Sequence, residues 1–222
     1  VFLDRGKTER ECVNESVKMA EAAGFIDMDK TDSLKPGDKV YKVNRNKNIF
    51  MAVIGTEDIR KGVNIAGAHI DSPRLDLKQN PLYESMDMAL LKTHYYGGIK
   101  KYQWPTLPLA IHGVIYDKDG NKKEIVIGED ENDPVFVITD LLPHLAQDQM
   151  SKKMSEGIEG ENLNILIGGA PVEAEDIKEK VKFSILKMLN ARYGITENSF
   201  ISAEIEVVPA QKAKNVGLDE SF

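Results

Sequence analysis

The sequence predicts a mixed α/β fold in which helices cover a sheet. Two observations carry this prediction. Apolar runs at residues 49–54 and 63–69 have the composition of strands buried in a sheet. Before them, residues 8–24 show the periodicity of an amphipathic helix, which is the element that covers the apolar face of a sheet.

Length and composition exclude several classes of protein. The 222 residues, with a formal net charge of −7, suit one or two domains. Basic residues form no stripe for nucleic acid, and no apolar run approaches the roughly 18 residues that cross a membrane. The single cysteine, Cys12, excludes an intramolecular disulfide and a cysteine-based zinc cluster. The first residues do not resemble a signal peptide and lack an initiator methionine, so we expect a cytoplasmic protein represented by a fragment or a trimmed chain.

The first helix has defined signals at both ends. Thr8 and Glu11 have the spacing of a capping box, and apolar residues recur at helical intervals after them. Gly24 is the residue type that ends a helix. Strands are predicted next at 39–44 and 49–54, after a polar loop.

The run at 63–69 ends in two side chains that an apolar strand does not need. His69 is its last residue, Asp71 lies two further on, and Pro73 stops the strand ladder. A neutral imidazole can bind a transition metal through one ring nitrogen while a carboxylate holds the other N–H. The same pair also fits a histidine held for structural reasons.

The later chain predicts a second set of elements. Residues 78–110 show little periodicity and predict irregular chain that is functional or crosses between domains. Strands are predicted at 111–116 and 124–128 (a hairpin turning at Asp119-Gly120), at 135–139, at 163–167 and at 201–208. Helices are predicted at 140–155, with Leu141, Leu145 and Met150 on its neutral face, and at 172–193, ending at Gly194.

The other histidines have plain interpretations. His112 lies in an alternating strand and is expected to be half-buried structure, His94 precedes a diglycine turn, and His144 suits a helix cap. The acidic run at 129–133 lacks the spacing of a calcium loop and predicts a solvated loop. Only the pair formed by His69 and Asp71 therefore stands out, and a catalytic zinc site normally takes about three protein ligands.

Residues 67–75, Gly-Ala-His-Ile-Asp-Ser-Pro-Arg-Leu, resemble the His-x-Asp-Ser-Pro segment of the M18 metallo-aminopeptidases, the family of aspartyl aminopeptidase and aminopeptidase I. Residues 2–11, 93–108 and 202–217 are similar to further stretches of the same family. The resemblance covers nearly the whole chain.

The resemblance implies a zinc-exopeptidase-like catalytic domain, a mixed sheet flanked by helices and incomplete here, interrupted by an inserted β-rich α+β domain. Residues 1–81 would begin the catalytic domain, 82–198 would form an inserted dimerisation or regulatory domain, and 199–222 would return to the catalytic domain through the strand at 201–208. It also implies a homo-oligomer in which dimers build a dodecamer. The aromatic cluster expected at an exposed subunit contact consists of Tyr95, Tyr96, Tyr102 and Trp104.

The resemblance also implies a chemistry. Family members remove N-terminal residues from peptides with water activated by two divalent metal ions, usually zinc, which cobalt or manganese can replace. His69 matches the first histidine ligand, and Asp71 matches the catalytic-site carboxylate that orients it; the remaining ligands and the general base are expected beyond Phe222. His144 lies in a Pro-His-Leu-Ala stretch. In some family members a similar stretch carries a histidine that reaches the substrate site of a neighbouring subunit. The position of that functional histidine matches Asp148 here, four residues after His144. The alternative is an inactive oligomerisation or peptide-binding module of the same architecture.

Overall fold

The structure is a computed structural model that describes residues 2–117 and 119–221. The chain divides into two compact units, Val1–Ser72 with Lys212–Phe222, and Pro73–Gln211. Each unit contains helices and one of the two sheets, so the predicted mixed α/β class is confirmed. In the described part of the chain, no helix has the length and apolar composition needed to cross a bilayer.

The first unit begins with the predicted amphipathic helix. A short helix α1 (Phe2–Arg5) precedes α2 (Glu9–Ala22). The capping box forms as predicted: the Thr8 hydroxyl accepts the Glu11 N–H at 3.4 Å, and the Glu11 carboxylate accepts the Thr8 N–H at 3.1 Å. The chain leaves the helix through Gly24, whose φ of +83° is accessible to glycine without strain.

A three-stranded sheet follows α2. Its order is β1 (Ile26–Asp27), β2 (Lys39–Asn44) and β3 (Asn48–Val53). Strand β1 pairs with β2 in parallel, and β2 pairs with β3 in antiparallel. The prediction of a strand at 39–44 is therefore confirmed, and the one at 49–54 is displaced by one residue.

The predicted strand at 63–69 does not form. These residues belong to no strand or helix, and Ile65 is 85% exposed. An apolar run adopts strand structure only when a neighbouring strand pairs with its N–H and C=O groups, and the sheet of this unit ends at β3 without reaching it. The prediction of a buried strand at 63–69 is therefore wrong.

The second unit is built on a six-stranded antiparallel sheet with the order β7-β6-β9-β4-β5-β8. Its strands are β4 (Arg74–Ser85), β5 (Met88–Tyr96), β6 (Leu109–Tyr116), β7 (Lys122–Ile127), β8 (Ile165–Gly168) and β9 (Glu204–Pro209). Helix α5 (Lys180–Tyr193) packs on one face, where Val181 and Ile185 join Leu75, Leu91 and Val207 in the core. The β6–β7 hairpin is confirmed, although Lys118 in its predicted turn lies outside the described residues.

The hairpin of β4 and β5 occupies the segment predicted to be irregular. Its turn residues Met86 and Asp87 both have positive φ, 49° and 56°, which is the geometry of a type I′ turn. Neither residue is the usual Asn or Gly for this turn. Pro81 lies where the register shifts between Leu77 and Leu82, so its missing N–H interrupts no regular pairing.

Both helix predictions need correction. The helix predicted over 172–193 begins only at Lys180, although it ends at Gly194 as predicted. The helix predicted over 140–155 is replaced by α3 (Gln147–Ser151) and α4 (Met154–Gly157). Leu141, Leu145 and Met150 are exposed, so the expected apolar face packs against no core, and helices this short gain little stability alone.

Other elements also differ from prediction. The strand predicted at 135–139 is reduced to isolated bridges, from Phe136 to Leu109 and from Val137 to Leu166. The strand predicted at 163–167 is observed as β8, two residues later at its start and one at its end. Trp104 is only 7% exposed and belongs to the core, so it cannot take part in the predicted exposed aromatic cluster.

The strand predicted at 201–208 is β9, and it lies between β6 and β4 at the centre of the six-stranded sheet. It therefore belongs to the second compact unit, which begins at Pro73 and ends at Gln211. The predicted inserted domain at 82–198 and the predicted return to the catalytic domain at residue 199 stay predictions. Because β9 pairs on both sides and buries Ile205 and Val207, this sheet would lose its centre without it.

Candidate metal-binding site

The histidine predicted as a metal ligand lies on the irregular segment that precedes β4. The imidazole of His69 is 83% exposed. Its Nδ1 lies 2.8 Å from the main-chain oxygen of Asp71. Since a carbonyl oxygen only accepts, Nδ1 must carry the proton in this hydrogen bond. The lone pair of the neutral ring is then at Nε2, which is the atom that can bind a metal.

The Asp71 side chain lies beside the same ring but at a greater distance. Its Oδ1 is 3.5 Å from His69 Nδ1, beyond the roughly 2.7–3.2 Å of a good N–H···O bond. The structure therefore brings the two predicted residues together. It adds one element that the sequence did not indicate, a main-chain acceptor closer to the ring than the carboxylate.

These residues fit one part of a metal site. An exposed neutral imidazole with a fixed tautomer is a suitable zinc ligand. Among residues 2–117 and 119–221, no group of three or more His, Cys, Asp or Glu side chains could hold a metal ion. The roles of His69 as a metal ligand and of Asp71 as the group that orients it stay predictions.

His144, which was expected to contact substrate, lies apart from the nearest cleft. His144 is exposed in the turn formed by residues 142–146. A nearby cleft of about 360 Å³ is lined by Asp148, the position that matches the relatives' functional histidine, but not by His144. Asp140 also lines this cleft, and its Oδ1 accepts a hydrogen bond of 3.0 Å from Gln149 Nε2.

Sequence reasoning missed a row of ionisable residues on the sheet of the second unit. Glu206 on β9 lies opposite His112 on β6 and opposite Asp76 on β4. The guanidinium of Arg74 lies 2.8 Å from Asp76 Oδ1 and 3.4 Å from Glu206 Oε1. Its CZ lies 4.1 Å from the centroid of the Tyr96 ring. Arg74 thus holds two carboxylates and an aromatic ring on adjacent strands.

His112 extends this row. It is 4% exposed, more deeply buried than predicted, and its Nε2 lies 3.0 Å from Glu129 Oε1. The signal in the sequence was the alternation of Glu204 and Glu206 with apolar residues, which places both carboxylates on the face opposite the main core. That alternation alone did not indicate burial of Glu206, which depends on the strands at either side.

Comparison with known proteins agrees with the fold and with the predicted family. Residues 2–222 match the family model described as aminopeptidase I zinc metalloprotease (M18). A curated relative from Clostridium acetobutylicum, "Probable M18 family aminopeptidase 1", is 57% identical over 225 residues, which cover 100% of this chain and 48% of the relative. The crystal structure of an M18-family aminopeptidase from Thermotoga maritima matches with a TM-score of 0.93 and 48% identity, over 99% of this chain and 48% of that one.

The chain belongs to the M18 family of zinc metalloproteases. It spans about half the length of the curated relatives that it matches. A more distant structure, the mApe1 dodecamer of S. cerevisiae, matches with a TM-score of 0.67 over 99% of this chain and 49% of that one. At 18% identity this likeness concerns the fold alone.

Proposed function

We propose that these residues form part of a metal-dependent aminopeptidase that releases N-terminal amino acids from peptides. The observation that carries the proposal is the exposed His69 imidazole, whose Nδ1 lies 2.8 Å from the Asp71 main-chain oxygen, within a chain that belongs to the M18 family. The relatives at 48–57% identity bear the name M18 family aminopeptidase, which supports the same activity here.

Within this proposal, His69 is a metal ligand through Nε2 and Asp71 positions it. Zinc, when bound, supplies Lewis acidity that lowers the pKa of a bound water and polarises a carbonyl. We further propose a pair of divalent ions, with cobalt or manganese able to replace zinc. The other ligands would come from the part of the relatives that this chain does not cover. The cytoplasmic location expected from the sequence stays a prediction.

We propose that copies of the protein assemble through exposed apolar side chains of the second unit. Leu141, Leu142 and Leu145 are exposed together, and Tyr95 and Tyr102 are partly exposed in the same unit. Exposed apolar groups in such number are typical of subunit contacts. The assembly proposed is the one that the family resemblance implies, a homo-oligomer in which dimers build a dodecamer. We propose that His144 contacts the substrate bound by a neighbouring subunit.

The second candidate function is an inactive module for oligomerisation or peptide binding. One observation favours it: Leu141, Leu142 and Leu145 are exposed in the second unit, as apolar side chains at a protein contact are. The two functions differ in their metal content, because a binding module needs no stoichiometric zinc.

The test is the variant His69→Ala in the longest reading frame that contains this chain. Hydrolysis of aminoacyl anilides and bound zinc are measured together, since both should fall if His69 is a ligand. His94→Ala is the matched control, because His94 is also exposed but lies on β5 and stacks on Tyr95 with ring centroids 5.4 Å apart. Full activity and full zinc content in His69→Ala would overturn the proposal.

A further inference from the structure

We propose that the second unit binds the basic tail of a partner protein in a groove at the outer edge of β8. The groove has a volume of about 320 Å³, at the low end of the roughly 300–1,000 Å³ typical of ligand pockets. Residues 134–137 and 166–169 form its two walls, and Met88 also lines it. Binding here is independent of the proposed aminopeptidase activity, since that activity was assigned to none of the lining residues.

The two walls begin as paired strands and then separate. Val137 and Leu166 form an isolated antiparallel bridge, in which the Leu166 N–H donates to the Val137 main-chain oxygen at 2.9 Å. Continued pairing would place Val135 opposite Gly168, but among the residues that the structure describes the pairing ends at this bridge. The groove is therefore a wedge that is closed at the bridge and open at its other end, beside Pro134 and Gly169.

Both walls are held in place by the sheet. Phe136 exchanges two main-chain hydrogen bonds with Leu109 of β6, at 2.8 and 2.9 Å, and β8 pairs with β5. The wedge is thus preformed, and a chain inside it meets backbone on two sides, as when an extended peptide adds a strand to a sheet edge. Val135, which is 55% exposed, supplies apolar surface, and Gly168 has no side chain to keep another backbone away.

Acidic residues surround the open end of the wedge. Residues 129–133, directly before Pro134, contain four carboxylates and no basic residue. Residues 170–177, directly after Gly169, contain three carboxylates and no basic residue. Asp87 is also close, because a Cβ on Gly169 would lie 4.0 Å from the Asp87 main-chain oxygen. A chain that enters the wedge therefore passes through a negatively charged mouth.

The carboxylates at the mouth are available to a cationic partner. Asp87, Glu131 and Glu173 are exposed, and none of them forms an ion pair within residues 2–117 and 119–221. Glu131 is three positions from Pro134 and Glu173 is four from Gly169, so the chain keeps them within about 11 and about 14 Å of the wedge. Charges at these distances attract Lys and Arg most strongly at low salt, where the screening length reaches about 30 Å.

The shape of the wedge determines which part of a partner can enter. Walls of four residues are about 13 Å long, so the wedge holds about four residues of extended chain. Because the bridge closes one end, a chain end enters and the rest of the partner stays outside. The occupant that fits is a tail whose last residues are apolar and strand-forming and are joined to a run of Lys and Arg at the mouth.

The test measures binding of tails fused to a monomeric fluorescent protein, because a fused tail represents a partner protein. One fusion has Val-Thr-Val-Thr at its free N-terminus and the other at its free C-terminus, each joined to the carrier through Lys-Arg-Lys-Arg. The longest reading frame that contains this chain is titrated by microscale thermophoresis at low salt, with zinc chelated so that no tail is hydrolysed. We expect one of the fusions to bind with a dissociation constant of about 10–100 μM. Replacing Lys and Arg by Glu in that tail should weaken binding about tenfold or more.

Two sets of variants locate the site. Val135→Lys places a charge in the wedge and should weaken binding about tenfold, because it removes apolar contact and repels the basic tail. Val126→Lys is its matched control, since Val126 is 47% exposed on β7 of the same unit but does not line the groove. Circular dichroism and equal melting temperatures verify that both variants fold.

The second set tests the acidic mouth. Glu131→Gln combined with Glu173→Gln should weaken binding about 3–10-fold at low salt and reduce its salt dependence. Asp32→Asn combined with Glu156→Gln removes the same charge from exposed positions elsewhere in the chain and should change binding less than about twofold.

Several results would overturn the proposal. They are no binding of either fusion at about 1 mM, equal binding of the tail with Glu, and equal losses in Val135→Lys and Val126→Lys. Binding of the free tail peptide but not of the fusion would assign the groove to small peptides. A smaller particle for Val135→Lys in light scattering would assign it to a second copy of this chain. The aminopeptidase proposal fails by the zinc content and turnover of His69→Ala, so the two failures are distinguishable.

Discussion

Helix α5 depends on a carboxylate that is distant in sequence. The Oε2 atom of Glu84, on β4, accepts hydrogen bonds of 2.9 Å from the main-chain N–H groups of Val181 and Lys182. Glu179, at the N-cap position of α5, makes no side-chain capping bond. Glu84 therefore satisfies two of the four N–H groups that a helix leaves without partners at its N-terminus, and it places a negative charge there.

We expect Glu84→Ala to destabilise the second unit by about 1–3 kcal/mol. Loss of an N-terminal cap costs about 0.5–2 kcal/mol, and the charge near the helix end adds about 0.3–1 kcal/mol. Glu84→Gln keeps an oxygen acceptor and removes only the charge, so its cost should be about 0.3–1 kcal/mol. The effect reaches the core because α5 places Val181 and Ile185 there.

Urea unfolding followed by circular dichroism measures these differences, with equal m-values showing that the same transition is compared. Glu179→Ala is the matched control: it removes the same charge from the same helix end, where the carboxylate lies 3.3 Å from Lys182 Nζ but makes no capping bond. Its cost should stay below about 1 kcal/mol, as for an exposed ion pair. If Glu84→Ala costs no more than Glu179→Ala, the capping argument is refuted.

Two further predictions concern stability. The Tyr41 hydroxyl donates a hydrogen bond of 2.8 Å to Glu21 Oε1, and this bond raises the pKa of Tyr41 to about 12. The contribution of this bond to the stability of the folded protein is therefore complete below the ordinary tyrosine pKa of about 10 and is lost as pH rises through about 12. In the wild type, the free energy of unfolding should fall with pH between about 10 and about 12. Tyr41→Phe should lack this part of the pH dependence. A Cβ on Gly113 would lie 2.2 Å from the main-chain oxygen of Glu204 on the neighbouring strand, so Gly113→Ala should cost about 3 kcal/mol. Thermal unfolding checks this against Gly98→Ala, whose Cβ would meet no atom within 4 Å; equal melting temperatures for the two variants would contradict the steric argument.

Features set by neighbours along the chain could be predicted from the sequence. The capping box of Thr8 and Glu11 and the end of α5 at Gly194 form because their partners lie within a few residues, so the residue types contain the whole interaction. The β6–β7 hairpin was predictable for the same reason, since two alternating strands flank a short polar turn. The pairing of His69 with Asp71 also spans only two residues, and the structure brings them together.

Features that depend on distant partners could not be predicted. The apolar run at 63–69 has strand composition, yet it forms no ladder because none of the described strands lies beside it. The β4–β5 hairpin escaped prediction because Pro81 and an unusual turn at Met86 obscured a long pairing. Trp104 lies among prolines, but its burial is decided by residues far along the chain.

Residue types and their order along the chain were enough to identify the family and the histidine–aspartate pair, because a short motif has the same chemistry wherever the chain folds. The folded arrangement was needed to show which atom of Asp71 lies closest to the His69 ring, that Glu84 caps a helix 97 positions away, and that Arg74 joins Asp76 to Glu206. Hydrogen bonds weaken when the distance between donor and acceptor changes by a few tenths of an ångström. Residue types and spacing fix those distances within a turn or a cap, whereas strand register and packing fix them between elements.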